Sequence, residues 1–252
     1  MIRHLILLGL LSISIATYAQ IPTHYYVQIT TNKGDATLKL YNKTPKHRDN
    51  FYRLVKEGYY DSLLFHRVIK NFMIQGGDPD SKYAGDRTLL GNGGPDYKIP
   101  AEIQADIIHK KGSIAAARDN NPAKQSSGSQ FYLVQGRKFT EAGLDSLETF
   151  RFKGKRLSDL QRRTYMDIGG IPHLDGDYTV FGELVSGIEI IDRIAEVQTD
   201  RNDRPLTNER MAMRLLTRRE ALNLEREMQG LEPKGGFFTK LFDSLKSRYY
   251  KL

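Results

Sequence analysis

Three short segments of the sequence gather aromatic, apolar and polar side chains around one arginine, Arg67. They span residues 65–78, 128–132 and 173–182. The guanidinium of an arginine is permanently charged and presents several N–H donors in a rigid plane. A donor fixed in this way can stabilise a lone pair or a charge that develops on a bound substrate. We therefore take Arg67 as the candidate catalytic residue.

The sequence lacks the motifs of several other kinds of catalytic site. No His-Glu-x-x-His motif occurs, and the six histidines have no metal-ligand spacing. No Gly-x-Ser-x-Gly nucleophile elbow is present. The chain has no cysteine, which excludes a thiol nucleophile, a thiolate metal site and disulfide bonds. The three segments around Arg67 remain as the candidate site.

These segments resemble the signature segments of the cyclophilin family of peptidyl-prolyl isomerases. The most specific of them is Phe-His-Arg-Val-Ile-Lys-Asn-Phe-Met-Ile-Gln-Gly-Gly-Asp at residues 65–78, and the loop at residues 91–95 is similar to that family too. The resemblance covers roughly residues 23–216. It implies a peptidyl-prolyl cis-trans isomerase that uses no cofactor and no metal. It also implies that the partners are proline-containing polypeptides, either unfolded or newly exported.

The chemistry of this reaction explains why an arginine is needed. Rotation about an X–Pro amide has a barrier of about 18–20 kcal/mol, because C–N resonance is lost at the twisted midpoint. No covalent bond breaks, so the site must hold the proline ring still and bind the twisted amide better than the planar one. A fixed donor near the proline nitrogen and the carbonyl oxygen has this effect. The resemblance implies the same role for Arg67.

The resemblance also assigns roles to the neighbouring residues. The following side chains match proline-pocket positions of the family: Phe72, Met73, Tyr132 and Leu174. Gln75 and Gln130 resemble polar residues that bond the substrate backbone and steady Arg67. His66 is interpreted as a structural neighbour of the site, since the reaction transfers no proton.

The match departs from the better-known eukaryotic members at several substrate-binding positions. The chain has Ala117-Arg118 where those members have Ala-Asn, and His173 and Tyr178 where they have Trp and His. Tyr132 replaces a Phe, and its hydroxyl at the pocket wall needs a partner or water. We expect retained isomerase activity with weakened cyclosporin binding, because a large indole surface is missing at His173.

Composition indicates a soluble globular protein. Hydrophobic residues make up 39% of the chain and charged residues 27%. The net charge of +8 could suggest a nucleic-acid partner, but lysine and arginine are interleaved with aspartate and glutamate. We therefore predict a solvated basic surface and no nucleic-acid partner.

The first twenty residues have the pattern of a secretory signal peptide. Arg3 and His4 are followed by an apolar run at residues 5–15, which is too short to span a bilayer. Thr-Tyr-Ala at residues 17–19 supplies small residues at the −3 and −1 positions of a cleavage site. We expect export, to a periplasm or out of the cell. The alternative is an N-terminal membrane anchor.

The elements that must position the site are mostly short strands. Candidate strands lie at residues 25–31, 36–41, 63–68, 72–75, 112–117, 130–135, 178–184 and 211–216. Helices are predicted after Thr44, with Pro45 in the first turn, and after a capping box at residues 186–189. Residues 78–100 are expected to form a long ordered loop. We predict a mainly β fold, a closed eight-stranded antiparallel barrel capped by two helices.

Alternation along the strands also predicts which aromatic side chains are buried. Adjacent side chains of a strand point to opposite faces, so Phe65 and Phe131 are expected in the core.

Two further segments accompany the predicted isomerase domain at residues 21–216. Residues 137–172 are expected to be a partly helical insertion. Residues 217–252 are expected to be a tail with a charged helical stretch to Met228 and an amphipathic piece at 237–252. That piece could bind a membrane surface or a partner, or it could pack on the domain or fray.

An alternative to the enzyme also stays open at this point. The chain could be a proline-peptide-binding or chaperone module in which Tyr132 and the insertion have removed catalysis. The intact motif around Arg67 favours the enzyme.

Overall fold

A computed structural model describes residues 21–85 and 88–234. The predicted signal peptide at residues 1–20 and the amphipathic piece at residues 237–252 lie outside the described residues. Among the helices described, none combines the length and the apolar character needed to cross a bilayer.

Within the described residues the chain forms ten strands and five α-helices. The strands are Tyr26–Thr31 (β1), Gly34–Leu40 (β2), Phe65–Ile69 (β3), Met73–Gly76 (β4), Lys98–Ile99 (β5), Ser113–Ala116 (β6), Ser126–Ser127 (β7), Phe131–Val134 (β8), Val180–Ser186 (β9) and Met211–Leu215 (β10). The helices are Pro45–Lys56 (α1), Glu141–Ser146 (α2), Asp159–Asp167 (α3), Glu189–Ala195 (α4) and Arg218–Met228 (α5). Shorter helical turns occur at Pro79–Ser81, Leu147–Arg151 and Pro172–Leu174.

Eight of the strands form one antiparallel sheet in the order β10-β1-β2-β9-β6-β8-β4-β3. The edge strands β3 and β10 approach each other through an isolated bridge between Leu64 and Arg210. The amide of Phe65 also donates to the carbonyl of Glu209 (2.9 Å). The mainly β fold and the eight-stranded antiparallel sheet are confirmed, as a curled half-barrel. Closure of the sheet into a barrel stays a prediction.

The concave side of the sheet and two helices enclose the main core. Helix α1 contributes Phe51 and Leu54, and α4 contributes Ile190, Ile191 and Ile194. The sheet contributes buried side chains at alternate positions: Val27, Ile29, Leu38, Leu40, Phe65, Ile74, Ile114, Phe131, Leu133 and Phe181. Each large apolar side chain buried in this way stabilises the fold by about 1.5–3 kcal/mol. The predicted core positions of Phe65 and Phe131 are confirmed.

The predicted helix starts are only partly right. Helix α1 begins at Pro45 as expected, but the side chain of Thr44 makes no capping hydrogen bond. The carboxylate of Glu102 accepts instead from the amides of Lys46 (3.0 Å) and His47 (2.9 Å). A side chain distant in sequence therefore satisfies the amides that a helix start leaves open.

The predicted capping box at residues 186–189 is wrong. Helix α4 begins at Glu189, and the N-cap position is Ile188, which makes no side-chain capping bond. Ser186 is the last residue of β9 and pairs with Thr37, so it belongs to the sheet and not to the helix.

The loop predicted at residues 78–100 is mostly irregular but contains a helical turn at Pro79–Ser81 and ends in β5. Strand β5 pairs with β7 in a separate two-stranded sheet. Two-residue strands are too short to show alternation, which is why the sequence analysis missed both.

The predicted insertion at residues 137–172 carries α2 and α3, and its two ends meet. Arg137 and Gly170 form an isolated bridge. Gly170 has a φ of +148°, and a Cβ atom there would lie 2.2 Å from the carbonyl oxygen of His109. Only a glycine permits such a close backbone approach. Residues 23–221 form one compact unit, which contains the sheet and this insertion.

Candidate active site

The register of four neighbouring strands places a row of site residues on the outer face of the sheet. Arg67 on β3 pairs with Gln75 on β4, and Gln75 pairs with Tyr132 on β8. Tyr132 in turn pairs with Ala115 on β6. Directly paired residues of antiparallel strands project from the same face. These four side chains therefore share the face opposite the main core.

A β-bulge puts Arg67 on that face. Phe65 pairs with Gly76 and Arg67 pairs with Gln75, so His66 is the extra residue on β3. Without the bulge, residues 65 and 67 would point to the same side of the sheet. With it, Phe65 enters the core and Arg67 reaches the outer face.

The row borders a cavity of about 200 Å³. The cavity is lined by Arg67, Phe72, Met73, Gln75, Ala117, Arg118, Tyr132, Leu174 and Tyr178. Met73 and Tyr132 are buried, and Phe72 and Leu174 pack against them as part of a second apolar cluster. Nine of the side chains predicted to form the site thus converge on one small cavity, whose walls combine apolar and aromatic side chains with guanidinium and amide groups.

Arg67 is held by a residue that the sequence analysis did not find. Its Nε donates to Oδ2 of Asp203 (3.3 Å), and both side chains are a little over two-fifths exposed. Asp203 is itself fixed to β3, because its carbonyl accepts from the amide of Val68 (2.8 Å). The two residues of the ion pair are 136 positions apart, and no motif connects them.

The two glutamines are hydrogen-bonded to each other and to a loop, and their predicted role towards the substrate stays a prediction. Gln75 donates through Nε2 to Oε1 of Gln130 (3.0 Å). Gln130 donates through Nε2 to the carbonyls of Gly91 (3.0 Å) and Gly93 (2.7 Å). Gln130 is buried and does not line the cavity of about 200 Å³. The hydrogen bonds described for the glutamines therefore fix the glycine loop beside the cavity, whereas Arg67 is held by Asp203.

Two histidines lie next to the cavity without lining it. The ring of His173 stacks on Phe72 with 5.9 Å between centroids and 5° between planes. Burial, with a further contribution from Arg151, lowers the pKa of His173 to about 4, so the ring is uncharged at neutral pH. Burial likewise lowers the pKa of His66 to about 4. His66 borders a neighbouring cavity of about 660 Å³, and its ring nitrogens have no partner among the described residues.

Arg118 and Tyr178 form another wall of the cavity. The Arg118 guanidinium lies 4.7 Å from the centre of the Tyr178 ring, and its Nε donates to the carbonyl of Asp177 (2.9 Å). The Tyr178 ring meets Tyr132 edge to face, with centroids 5.9 Å apart. A cation over one face of the ring and an aromatic edge contact both restrict its orientation.

The hydroxyl of Tyr132, which needs a partner, lies 3.0 Å from Nε2 of His109. Nδ1 of His109 in turn lies 2.8 Å from Oδ1 of Asp175. Burial raises the pKa of Tyr132 well above its ordinary value, so the phenol stays protonated. The sequence analysis missed His109 and Asp175 because neither lies at a position with an assigned role in the resemblance.

In the part of the chain that is described, no three His, Asp or Glu side chains cluster in an arrangement that could hold a metal ion.

The geometry thus places an arginine beside a small cavity with apolar and aromatic walls, on the outer face of a curled antiparallel sheet. Residues 26–214 match the family described as cyclophilin type peptidyl-prolyl cis-trans isomerase/CLD. The chain belongs to this family, and the predicted isomerase class is confirmed at that level. The family binds proline-containing peptides.

Related proteins carry the same designation. A Staphylococcus haemolyticus protein named as a peptidyl-prolyl cis-trans isomerase is 35% identical over 181 residues, which are 71% of this chain and 85% of that protein. A Streptococcus pyogenes protein named as a bifunctional phosphatase/peptidyl-prolyl cis-trans isomerase is 38% identical over 182 residues. The match covers 71% of this chain but only 36% of that longer protein.

Solved structures support the fold. A cyclophilin type peptidyl-prolyl cis-trans isomerase from Cryptosporidium parvum has a TM-score of 0.57 at 24% identity, covering 77% of this chain and 98% of that one. A second structure of that protein, crystallised in the presence of the dipeptide Ala-Pro, has a TM-score of 0.56 at 24% identity and covers 76% and 99%. At this identity the likeness concerns the fold alone.

Proposed function

We propose that this chain catalyses rotation about X–Pro bonds in exported polypeptides, with Arg67 as the catalytic residue. The observation that carries the proposal is the position of the Arg67 guanidinium at the cavity lined by Phe72, Met73 and Leu174. The proline ring of a substrate would occupy this cavity, between the side chains of Phe72, Met73 and Leu174. The guanidinium would then face the amide that rotates.

The proposed mechanism requires no proton transfer. Apolar walls immobilise the ring, and the rest of the peptide turns about the C–N bond. The guanidinium donates towards the proline nitrogen, whose lone pair becomes available only when amide resonance is lost. Because this interaction is stronger in the twisted state, it lowers the barrier, and each tenfold gain in rate requires about 1.4 kcal/mol.

Replacement of Arg67 tests the proposal. We expect Arg67→Ala to lower kcat/KM for a proline peptide by about 100-fold or more, as for loss of a fixed donor in other enzymes. Arg67→Lys should recover part of the rate, since it restores the charge without the planar fork. The readout is NMR exchange between cis and trans peptide, which needs no coupling protease.

A matched control exists on the opposite edge strand of the sheet. Arg214 on β10 is 52% exposed and paired with Glu220, much as Arg67 is paired with Asp203. Arg214→Ala should leave the rate unchanged. Equal rates for wild type and Arg67→Ala, both near the uncatalysed value, together with retained peptide binding would instead identify a non-catalytic proline-peptide-binding or chaperone module.

Export of the protein, to a periplasm or out of the cell, is also proposed. Its support is the basic start, the short apolar run and the small residues at positions 17–19. Amino-terminal sequencing of the protein from its native host should give a mature chain that begins near Gln20. An uncleaved chain in the membrane fraction would favour the anchor.

For residues 237–252 we propose contact with a membrane surface or a partner, because the sequence has apolar residues at helical spacing among basic residues. Deletion of residues 231–252 should then reduce recovery with membranes or with a partner complex. If fractionation is unchanged, the result would contradict this proposal and favour a segment that packs on its own domain or frays.

Closure of the sheet is proposed as well, on the basis of the Leu64–Arg210 bridge and the hydrogen bond from Phe65 to Glu209. Slow hydrogen exchange at the amides of Phe65 and Met211 would support it. Rapid exchange at both amides would indicate an open edge.

A further inference from the structure

A chain of buried polar side chains runs from the cavity wall into the insertion at residues 137–172. It begins at the hydroxyl of Tyr132, which lies 3.0 Å from Nε2 of His109. Nδ1 of His109 lies 2.8 Å from Oδ1 of Asp175. The other carboxylate oxygen of Asp175 accepts from the hydroxyl of Tyr165 on helix α3. Four residues from four separate parts of the sequence are thus connected end to end.

Three of the four members of the chain are buried, and the side chain of the fourth, Asp175, is 14% exposed. His109 is 1% exposed, Tyr132 5% and Tyr165 0%. The rings of His109 and Tyr132 are nearly parallel, with an angle of 11° between their planes. Buried polar groups without partners are costly, so each member of the chain depends on the next for its hydrogen bond.

When Asp175 is ionised and His109 is neutral, the chemistry of the four groups sets the direction of the bonds. An ionised carboxylate only accepts hydrogen bonds, so Nδ1 of His109 carries a hydrogen towards Asp175. In the neutral ring Nε2 is then the acceptor, and the hydroxyl of Tyr132 donates to it. The Tyr132 proton therefore points away from the cavity, so that this wall presents an aromatic ring and no hydroxyl donor to the proline.

Asp175 joins several elements at once. Besides the two side-chain bonds, Oδ1 accepts from the backbone amide of His109 (2.9 Å), and Oδ2 lies 3.5 Å from Nε2 of Gln161 on α3. Asp175 directly follows Leu174, which lines the cavity. The same carboxylate thus connects the insertion to two walls of the cavity, Tyr132 and Leu174.

The insertion is built to hold Tyr165 in place. Helix α3 begins with a capping box between Ser158 and Gln161. The buried carboxylate of Glu148 accepts from the amide of Leu157 (3.0 Å) and from Arg162 (2.9 Å). These bonds fix helix α3 within the insertion, and the Tyr165 hydroxyl extends from this helix to Asp175.

We propose that Tyr165 and Asp175 are positioning residues for proline binding, which act on the cavity through His109 and Tyr132. The insertion thereby becomes part of the machinery that sets substrate affinity, although Tyr165 does not line the cavity. This inference rests on the proposed function, since the cavity must be the one that receives proline.

The test is a double-mutant cycle between Tyr165→Phe and Tyr132→Phe. Tyr165→Phe removes one hydroxyl from the far end of the chain. We expect KM for a proline peptide, and the Kd measured by NMR titration, to rise on the order of 5-fold, as for loss of one buried hydrogen bond. We expect kcat to change less than twofold, because Arg67 is untouched.

The coupling is the decisive measurement. With Tyr132→Phe present, no hydroxyl at the cavity wall needs orienting, so the added change Tyr165→Phe should no longer raise KM. A purely structural role of Tyr165 would raise KM equally in both backgrounds or not at all, and either result would overturn the proposal. In Asp175→Asn the amide oxygen can still accept from His109, but the NH2 group that replaces the other oxygen cannot accept from Tyr165. This variant should therefore behave like Tyr165→Phe in the same cycle.

Tyr83→Phe is the matched control, since it makes the same chemical change at a side chain that is 90% exposed. It should leave KM and Kd as in wild type. Thermal unfolding of every variant identifies losses due to folding. A wild-type protein with neither exchange activity nor peptide binding would refute the proposed function. An active wild type with an unchanged Tyr165→Phe variant would refute the positioning role alone.

Discussion

Arg67 is held at the cavity by a carboxylate that its own motif does not contain. An exposed ion pair of this kind contributes at most about 1 kcal/mol to stability. Its main effect is on geometry, because the bond to Asp203 restricts a long side chain that would otherwise sample several rotamers. The backbone bond between Asp203 and Val68 keeps the carboxylate beside β3.

Asp203→Asn should therefore lower kcat by about 2- to 5-fold through looser positioning of the guanidinium, while stability changes by less than about 0.5 kcal/mol. NMR exchange and urea denaturation measure the two quantities. Glu220→Gln, which weakens the comparable pair with Arg214, is the control and should change neither rate nor KM. An unaltered kcat in Asp203→Asn would show that the cavity walls alone orient Arg67.

His173 determines how much apolar surface borders the cavity. Its uncharged ring lies flat on Phe72, but an imidazole is much smaller than an indole. Replacement by tryptophan would add about 50–100 Å² of apolar surface, worth about 1.3–2.5 kcal/mol at roughly 25 cal/mol per Å². We expect His173→Trp to bind cyclosporin at least about tenfold more tightly than the wild type. Submicromolar inhibition of the wild type would contradict this expectation.

At the scale of elements, the start of helix α1 depends on Glu102. Its carboxylate accepts from the amides of Lys46 and His47 and lies 2.7 Å from Nδ1 of His47. Glu102→Gln should destabilise the protein by about 1–2 kcal/mol, comparable to loss of a helix cap. Thr44→Val, which keeps the shape but removes the hydroxyl, should cost less than about 0.5 kcal/mol. Urea denaturation compares the two, and the reverse order would mean that Thr44 is the effective cap.

The strands show where reasoning from sequence succeeds and where it ends. The candidate strands match all eight strands of the main sheet to within about two residues, because runs of apolar, β-branched and aromatic residues between turn residues are a strong local signal. The bulge at His66 could not be predicted, since regular alternation would put Arg67 on the same face as Phe65. The family motif fixed the chemistry of Arg67, but only the register explains how its side chain reaches the outer face.

At the scale of the molecule, buried histidines couple stability to pH. Burial lowers the pKa of His47, and burial lowers that of His66 to about 4, from an ordinary value near 6.5. The folded state thus favours the neutral ring, and the unfolded chain binds protons first as the pH falls. The stabilisation is complete above pH 6.5 and is lost progressively towards pH 4.

From His66 alone, the free energy of unfolding should fall by about 2 kcal/mol between pH 7 and pH 5. Urea denaturation across this range measures the slope. His66→Gln should flatten it, whatever its effect on stability at pH 7. An unchanged slope in this variant would show that the pKa of His66 does not differ between the folded and unfolded states.

The candidate site was accessible from sequence only where motifs are contiguous. Residues 65–78, 128–132 and 173–182 supplied most of the cavity walls. Asp203, His109 and Tyr165 were missed because their positions reflect tertiary contacts over long sequence separations. A single sequence carries no signal that an aspartate late in the chain belongs beside Arg67, or that a tyrosine in an insertion supports Tyr132.

The meeting of Arg137 and Gly170 also has an evolutionary consequence. Because residues 138–169 leave and rejoin the domain at one point, their number can change without stretching any strand or shifting its register. We expect orthologous lineages to vary in length at this junction while the sheet is inherited intact. In lineages with a shorter insertion, we also expect the hydrogen bond between Tyr132 and His109 to be lost and phenylalanine to replace the tyrosine at position 132.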